Sequence, residues 1–204
     1  MKPAYYKPFL LVIFIVLIDQ IIKTWVRTHM IMNDPLSDVH FLGSHGMLHY
    51  TENNGMAFGM ELGGSFGKLV LTIFRIAAVL SIGYGLVYLI KHKYNRGLIM
   101  CVALILAGAL GNIVDSTFYG LIYQHLPVFY GRVVDMFYFP LLSGNFPQWV
   151  PIWGGEDFVF FRPIFNLADA AISVGVILIL FRQKHYFKRE VPEVESPNSE
   201  IVEE

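Results

Sequence analysis

Two aspartates stand in stretches that are otherwise apolar or aromatic: Asp135 in GRVVDM and Asp169 in FNLADA. Asp135 follows a valine pair and precedes MFYF, while Asp169 opens the run AAISVGVILIL. Two carboxyls held together in a poorly solvated place cannot easily both ionise, so they share one proton. Such a pair contains a base to deprotonate water and an acid to protonate a carbonyl oxygen, which is the chemistry of aspartic proteolysis. Thirty-four positions separate them (169 − 135), so only the fold can bring them together.

Other polar residues interrupt apolar runs at helical spacing. Asp19 and Lys23 are four apart with the acid first, the favourable order for a pair on one helix face. Gly108, Gly111, Asn112 and Asp115 form one small and polar stripe, the kind of surface that lets helices approach closely in lipid. Asn166, Asp169, Ala170 and Ser173 repeat the pattern. A charged side chain near a bilayer centre costs about 2.5–3.5 kcal/mol, so such groups are expected to face a protein interior or a wet cavity.

The elements that must position these residues are membrane spans. The chain has 204 residues, 55% hydrophobic and 15% charged, with a mean hydropathy of +0.52, which departs from soluble composition on both counts. Runs of roughly 20 apolar residues occur at about 9–28, 68–90, 98–116 and 163–181. Asp19 and Lys23 continue the helical pattern of the first run and no small-x-small cleavage site follows it, so it reads as a retained span. Lys2 and Lys7, the linker KHKYNR and the segment RQKHYFKRE belong on one side, cytoplasmic by the positive-inside rule.

The expected fold is therefore an all-α membrane protein of four transmembrane helices with both termini cytoplasmic. Residues 1–189 read as one membrane domain and 190–204 as an acidic, disordered cytoplasmic tail. The connections at about 29–67 and 117–162 then lie outside. In the first, FLGSHGMLHYTENNGMAFGMELGG alternates enough to predict short strands bounded by glycines, a small β-like platform. The second is an extended loop whose 140–162 stretch is dense in Trp, Phe and Pro and suits the headgroup layer. On this topology Asp19, Lys23, Asn112, Asp115, Asn166 and Asp169 fall in one outer layer.

Several features read plainly. Cys101 is the single cysteine and sits in an apolar run as a small hydrophobe. His40, His45 and His49 lack the acidic or cysteine ligands of a known metal spacing, so no metal is expected. Arg75, on the second span, either snorkels to the outer interface or pairs with an acid of the site. There is no nucleic-acid signature, phosphate-binding glycine loop or internal repeat.

Five pieces in order, DQIIK, NNGMAFG, AGALGNIVD, GRVVD and FNLADA, resemble the motifs of the lipoprotein signal peptidases, the type II signal peptidases of bacteria. The resemblance covers nearly the whole chain. It implies an intramembrane aspartic endopeptidase of the bacterial cytoplasmic (inner) membrane, with its active site facing the periplasmic or outer side. The catalytic pair maps onto Asp135 and Asp169. Supporting positions map onto Asp19, Lys23, Asn53, Gly55, Gly108, Asn112, Asp115, Asn166 and Ala168. The implied substrate is a diacylglyceryl-modified prolipoprotein cut on the N-terminal side of its lipidated cysteine. Membrane lipids are the other partners, no cofactor or metal is expected, and the protein is expected to be monomeric.

One departure stands out. Family members often read Asp-Arg where this chain has Asp115-Ser116, and Arg132, three residues before Asp135, is the candidate to supply that charge. The rival readings are a small proton-coupled transporter or channel, which also needs intramembrane Asp and Lys, and a noncatalytic scaffold locked by its polar residues.

Overall fold

The computed structural model describes residues 6–43, 45–54, 64–140, 142–145, 147–149, 155, 157–160 and 163–186. Gly55, Lys2 and the acidic segment 190–204 lie outside the described residues.

The apolar runs are helices. α1 (Lys7–His29) starts with Pro8 in its first turn, where a missing N–H costs nothing. α2 (Gly64–Lys91) and α3 (Arg96–Val114) are joined by a short turn, and Asn95 caps α3 by accepting from Gly97 N at 2.8 Å. α3 runs on through a π-helical turn (Asp115–Tyr119) into α4 (Gly120–Tyr123). Such π turns are rare and recur at functional positions. Among the described residues, three helical stretches are long and apolar enough to cross a membrane: Lys7–His29, Gly64–Lys91 and Arg96–Tyr123.

α5 (Leu167–Tyr186), the helix expected as the fourth span, starts later than the expected 163. Its 20 residues span roughly 30 Å, with Asp169 in the first turn and Arg182 and Lys184 near the end. Ile164 and Phe165, before it, form a strand, and Asn166 is then the residue that caps the helix. α3 is the central helix, packed against α1, α2 and α5. Gly108 makes the α3–α5 approach possible, because a Cβ there would lie 2.1 Å from Ala168 O. Val12, Leu86, Ile99, Ala103 and Leu106 fill the bundle toward the α2–α3 turn. Leu10, Phe14, Leu17, Phe74 and Leu80 are exposed, as on a surface solvated by lipid.

The platform is larger than the first connection alone. β1 (Val39–His40) and β2 (Met47–Asn53) come from it, but β3 (Val133–Tyr138) and β6 (Ile164–Phe165) come from the second. The antiparallel order is β1-β2-β3-β6. β4 (Leu142–Asn145) and β5 (Asp157–Phe160) form a separate two-stranded ribbon within the 140–162 stretch. Alternation along β3 sends Val134 and Met136 into a cluster with Val26, Met30, Tyr50 and Tyr119 where the helix ends meet the sheet. Asp135 therefore lies on the other face.

The expected polar stripe of α5 is only partly inward. Asn166 and Ala168 are buried and Asp169 is half-buried, whereas Ser173 is exposed. The face turned to α3 continues instead through Ala171 and Gly175, both buried.

Candidate active site

The site begins with the start of α5. Asn166 Oδ1 accepts from Asp169 N at 2.9 Å, and Asp169 Oδ2 accepts from Asn166 N at 3.5 Å. This is the reciprocal arrangement of a capping box, with the cap residue and the third helical residue satisfying each other's N–H groups. Asn and Asp at this spacing thus start an apolar helix beside a buried polar cluster. The same geometry sets Asp169 in the first turn, where the helix dipole favours a carboxylate.

Asn166 also reaches across to β3. Its Nδ2 donates to Asp135 Oδ1 at 2.7 Å and lies 3.2 Å from both Val134 O and Asn112 Oδ1. Asp135 is 3% exposed. It pairs with Thr51 in β2, and Asn53, two residues along on the same face, hydrogen-bonds to its carboxylate. Burial, and next the negative charge of Asp169, push the Asp135 carboxyl up to about 7. The two aspartates singled out in the sequence are therefore joined through one asparagine.

Asn112 links this pair to a second cluster. Its Nδ2 donates to Asp169 Oδ1 at 2.8 Å, and its Oδ1 accepts from Lys23 Nζ at 3.2 Å. Lys23 is fully buried and also pairs with Asp19 Oδ2 and Asp115 Oδ2, each at 2.8 Å. All three ammonium protons thus have acceptors. Asp19 Oδ1 accepts from Ala168 N at 3.0 Å, which ties α1 to the first turn of α5. Asp115 Oδ2 lies 3.3 Å from Val134 N, tying α3 to β3. Gly131, the first residue of GRVVD, crosses directly over this point, where an added Cβ would lie 2.1 Å from Asp115 O.

Two residues complete the arrangement without having been singled out for it. Gln20 Nε2 bonds Asp115 Oδ1 at 2.9 Å, Asp19 Oδ2 at 3.2 Å and Gly111 O at 3.2 Å. Its sequence signals are its place in DQIIK and an amide inside an apolar run, one position off the Asp19–Lys23 face. Ser116 is buried and accepts from Arg75 Nη1 at 2.8 Å. Arg75 thus turns inward from α2. Arg132 is exposed, its backbone N donating to Gln124 Oε1 at 3.0 Å. His49 Nδ1 meets Asp38 Oδ1 at 2.9 Å. No group of three His, Cys, Asp or Glu among the described residues could hold a metal ion. Cys101 is buried, 3.7 Å from the Tyr186 hydroxyl.

These features define a helical membrane protein with a buried, fully hydrogen-bonded polar site roofed by a small sheet. Two solved structures described as bacterial membrane enzymes are similar to it in overall fold. One is 27% identical with a TM-score of 0.59, covering 90% of this chain and 92% of its own. The other is 27% identical with a TM-score of 0.60, covering 86% and 91%. The sequence model of the family described as signal peptidase (SPase) II matches residues 11–184. A lipoprotein signal peptidase of Porphyromonas gingivalis is 46% identical over 186 residues, 83% of this chain and 79% of that protein. One of Amoebophilus asiaticus is 40% identical over 198 residues, 92% and 83%. The chain belongs to the signal peptidase II family, and the transporter reading is not favoured.

Proposed function

We propose that this protein is an aspartic endopeptidase that removes the signal peptide from diacylglyceryl-modified prolipoproteins, hydrolysing the bond N-terminal to the lipidated cysteine. The observation that carries the reading is the joining of Asp135 and Asp169 through Asn166 in a pocket that raises Asp135 to about 7. One carboxyl stays protonated near neutrality while its partner accepts hydrogen bonds from Asn112 and the Asn166 N–H.

The roles follow from these environments. Asp169 takes a proton from water as the oxygen attacks the scissile carbonyl carbon, and Asp135 gives its proton to the carbonyl oxygen. The resulting gem-diol collapses with cleavage of the C–N bond. The proton on Asp169 passes to the leaving nitrogen, and a hydroxyl proton returns to Asp135. Asn166 and Asn112 hold both carboxyls in place, and Asp19, Lys23, Asp115, Gly108 and Ala168 hold the helices that carry them.

The distribution of charge supports an orientation. Lys91, Lys93 and Arg96 lie at the α2–α3 turn, with Arg182 and Lys184 at the end of α5, which favours a cytoplasmic position for that end. The sheet and the aspartates then belong at the outer face of the cytoplasmic membrane. A substrate with a signal helix and two acyl chains reaches such a site from the bilayer, while water enters from outside.

The test uses purified protein in lipid or detergent with a diacylglyceryl prolipoprotein. Asp135→Asn and Asp169→Asn are each expected to lose cleavage by roughly 10³-fold or more while unfolding cooperatively. A folded variant that keeps its rate would remove that aspartate from the chemistry.

A further inference from the structure

Arg75 is a cation on a helix otherwise built for lipid. Its neighbours Ile73 and Phe74 are exposed, yet Arg75 is half-buried and turned toward α3. It lies sixteen residues from the end of α2 (91 − 75), and Asn112 lies sixteen from the start of α3 (112 − 96). At 1.5 Å per residue both sit roughly 24 Å from the shared turn, so Arg75 is level with the amide that holds Asp169. Ser116, one turn further along, receives the guanidinium at 2.8 Å and donates its own proton to Asn112 O at 2.9 Å. The serine hydroxyl is thereby oriented with a lone pair toward α2.

The Arg75 guanidinium lies within electrostatic reach of Asp169, Asp115 and Asp135. α2 and α5 flank α3 without a substantial interface of their own. A guanidinium on one flank thus faces a carboxylate on the other across the surface of α3. A peptide carbonyl is a neutral acceptor, and a planar fork of N–H donors suits it better than a point charge does.

We propose that Arg75 is a substrate-positioning residue, donating to backbone carbonyl oxygens of the segment being cut, and that Ser116 is the socket that sets its height against the aspartates. This rests on the reading of Asp135 and Asp169 as the hydrolytic pair. It also accounts for a serine at 116, since a long basic side chain there would occupy the place the Arg75 guanidinium fills.

Cleavage of a diacylglyceryl prolipoprotein is measured for Arg75→Met, Arg75→Lys, Ser116→Arg and the double variant Arg75→Met/Ser116→Arg, with thermal unfolding of each. Arg75→Met is expected to lower kcat/KM by about 30-fold or more at nearly unchanged Tm. Ser116→Arg alone lowers activity by crowding two cations, and the double variant recovers to within about fivefold of wild type. A purely structural Arg75 would show no such rescue. Arg75→Met cleaving within about threefold of wild type, or a folded double variant no better than Arg75→Met, overturns the proposal. If Arg75→Met does not fold, Arg75→Lys decides: KM raised about fivefold at unchanged Tm supports it, and unchanged KM overturns it. Asp135→Asn and Asp169→Asn run alongside. Inactive aspartate variants with a normal Arg75→Met remove only this inference, whereas active aspartate variants remove the reading beneath it.

Discussion

Asn166 Nδ2 donates to Asp135 Oδ1 at 2.7 Å, so the residue that caps α5 also positions a carboxylate on β3. Its cap partner is Asp169. One side chain therefore sets the geometry of both proposed catalytic groups, and helix capping and catalysis become hard to separate by stability alone.

Asn166→Ala separates them by magnitude. Loss of the cap costs about 1 kcal/mol of stability, whereas misplacing two carboxyls lowers kcat by roughly 10²-fold with a smaller effect on KM. Steady-state kinetics beside thermal unfolding will show a rate loss out of proportion to the change in Tm.

The proposed acid must be protonated. With Asp135 raised to about 7 by burial and by Asp169, kcat/KM is expected to fall as pH rises above about 7. A pH profile whose alkaline limb stays flat to pH 9 would rule out Asp135 as the acid.

Stability should move with the same group. Asp135 titrates near 4 when unfolded and at about 7 when folded. Between those values the native state holds the proton and the unfolded state does not, so raising pH from about 4 to about 7 destabilises the fold. Asp135→Asn, which keeps an oxygen for Asn166, is expected to be inactive yet more stable than wild type at pH 8 by roughly 2–4 kcal/mol. Denaturation at pH 5 and pH 8 checks both the sign and the loss of pH dependence.

Lys23 has a different signature. Lys23→Met leaves Asp19 and Asp115 buried without their cation, a loss of about 3–5 kcal/mol. Activity is expected to fail through unfolding, and Lys23→Met/Asp19→Asn should regain part of the Tm.

Gly108→Ala tests the approach of α3 to α5. Its Cβ would lie 2.1 Å from Ala168 O, a backbone atom, so α5 must shift with Asp169. A destabilisation of about 1–3 kcal/mol is expected. Cleavage should fall further than that loss accounts for.

The local patterns were legible because their causes are local. Apolar runs of spanning length, the polar stripe of α3 at helical spacing and the Asp19–Lys23 pair follow from transfer free energy and a period of 3.6 residues. Asn166 and Asp169 stood out for the same reason, being polar at the head of an apolar run, and their three-residue spacing is that of a capping box. Alternation in the first connection was enough to predict short strands. It could not say that β2 pairs with β3 and β3 with β6, because strand partners are chosen by packing over long separations in sequence.

What the tertiary structure alone decided are the contacts between distant segments. Asn166 meets Asp135 from 31 positions away, Arg75 meets Ser116 from 41, and Ala168 meets Asp19 from 149. Residue type and spacing showed that costly polar groups needed partners within the membrane. Which group each one found depended on how closely α3 let α1, α2 and α5 approach, and on where β3 crosses the start of α5. A buried donor or acceptor takes the partner that packing brings within hydrogen-bond reach, and packing is a property of the assembled helices.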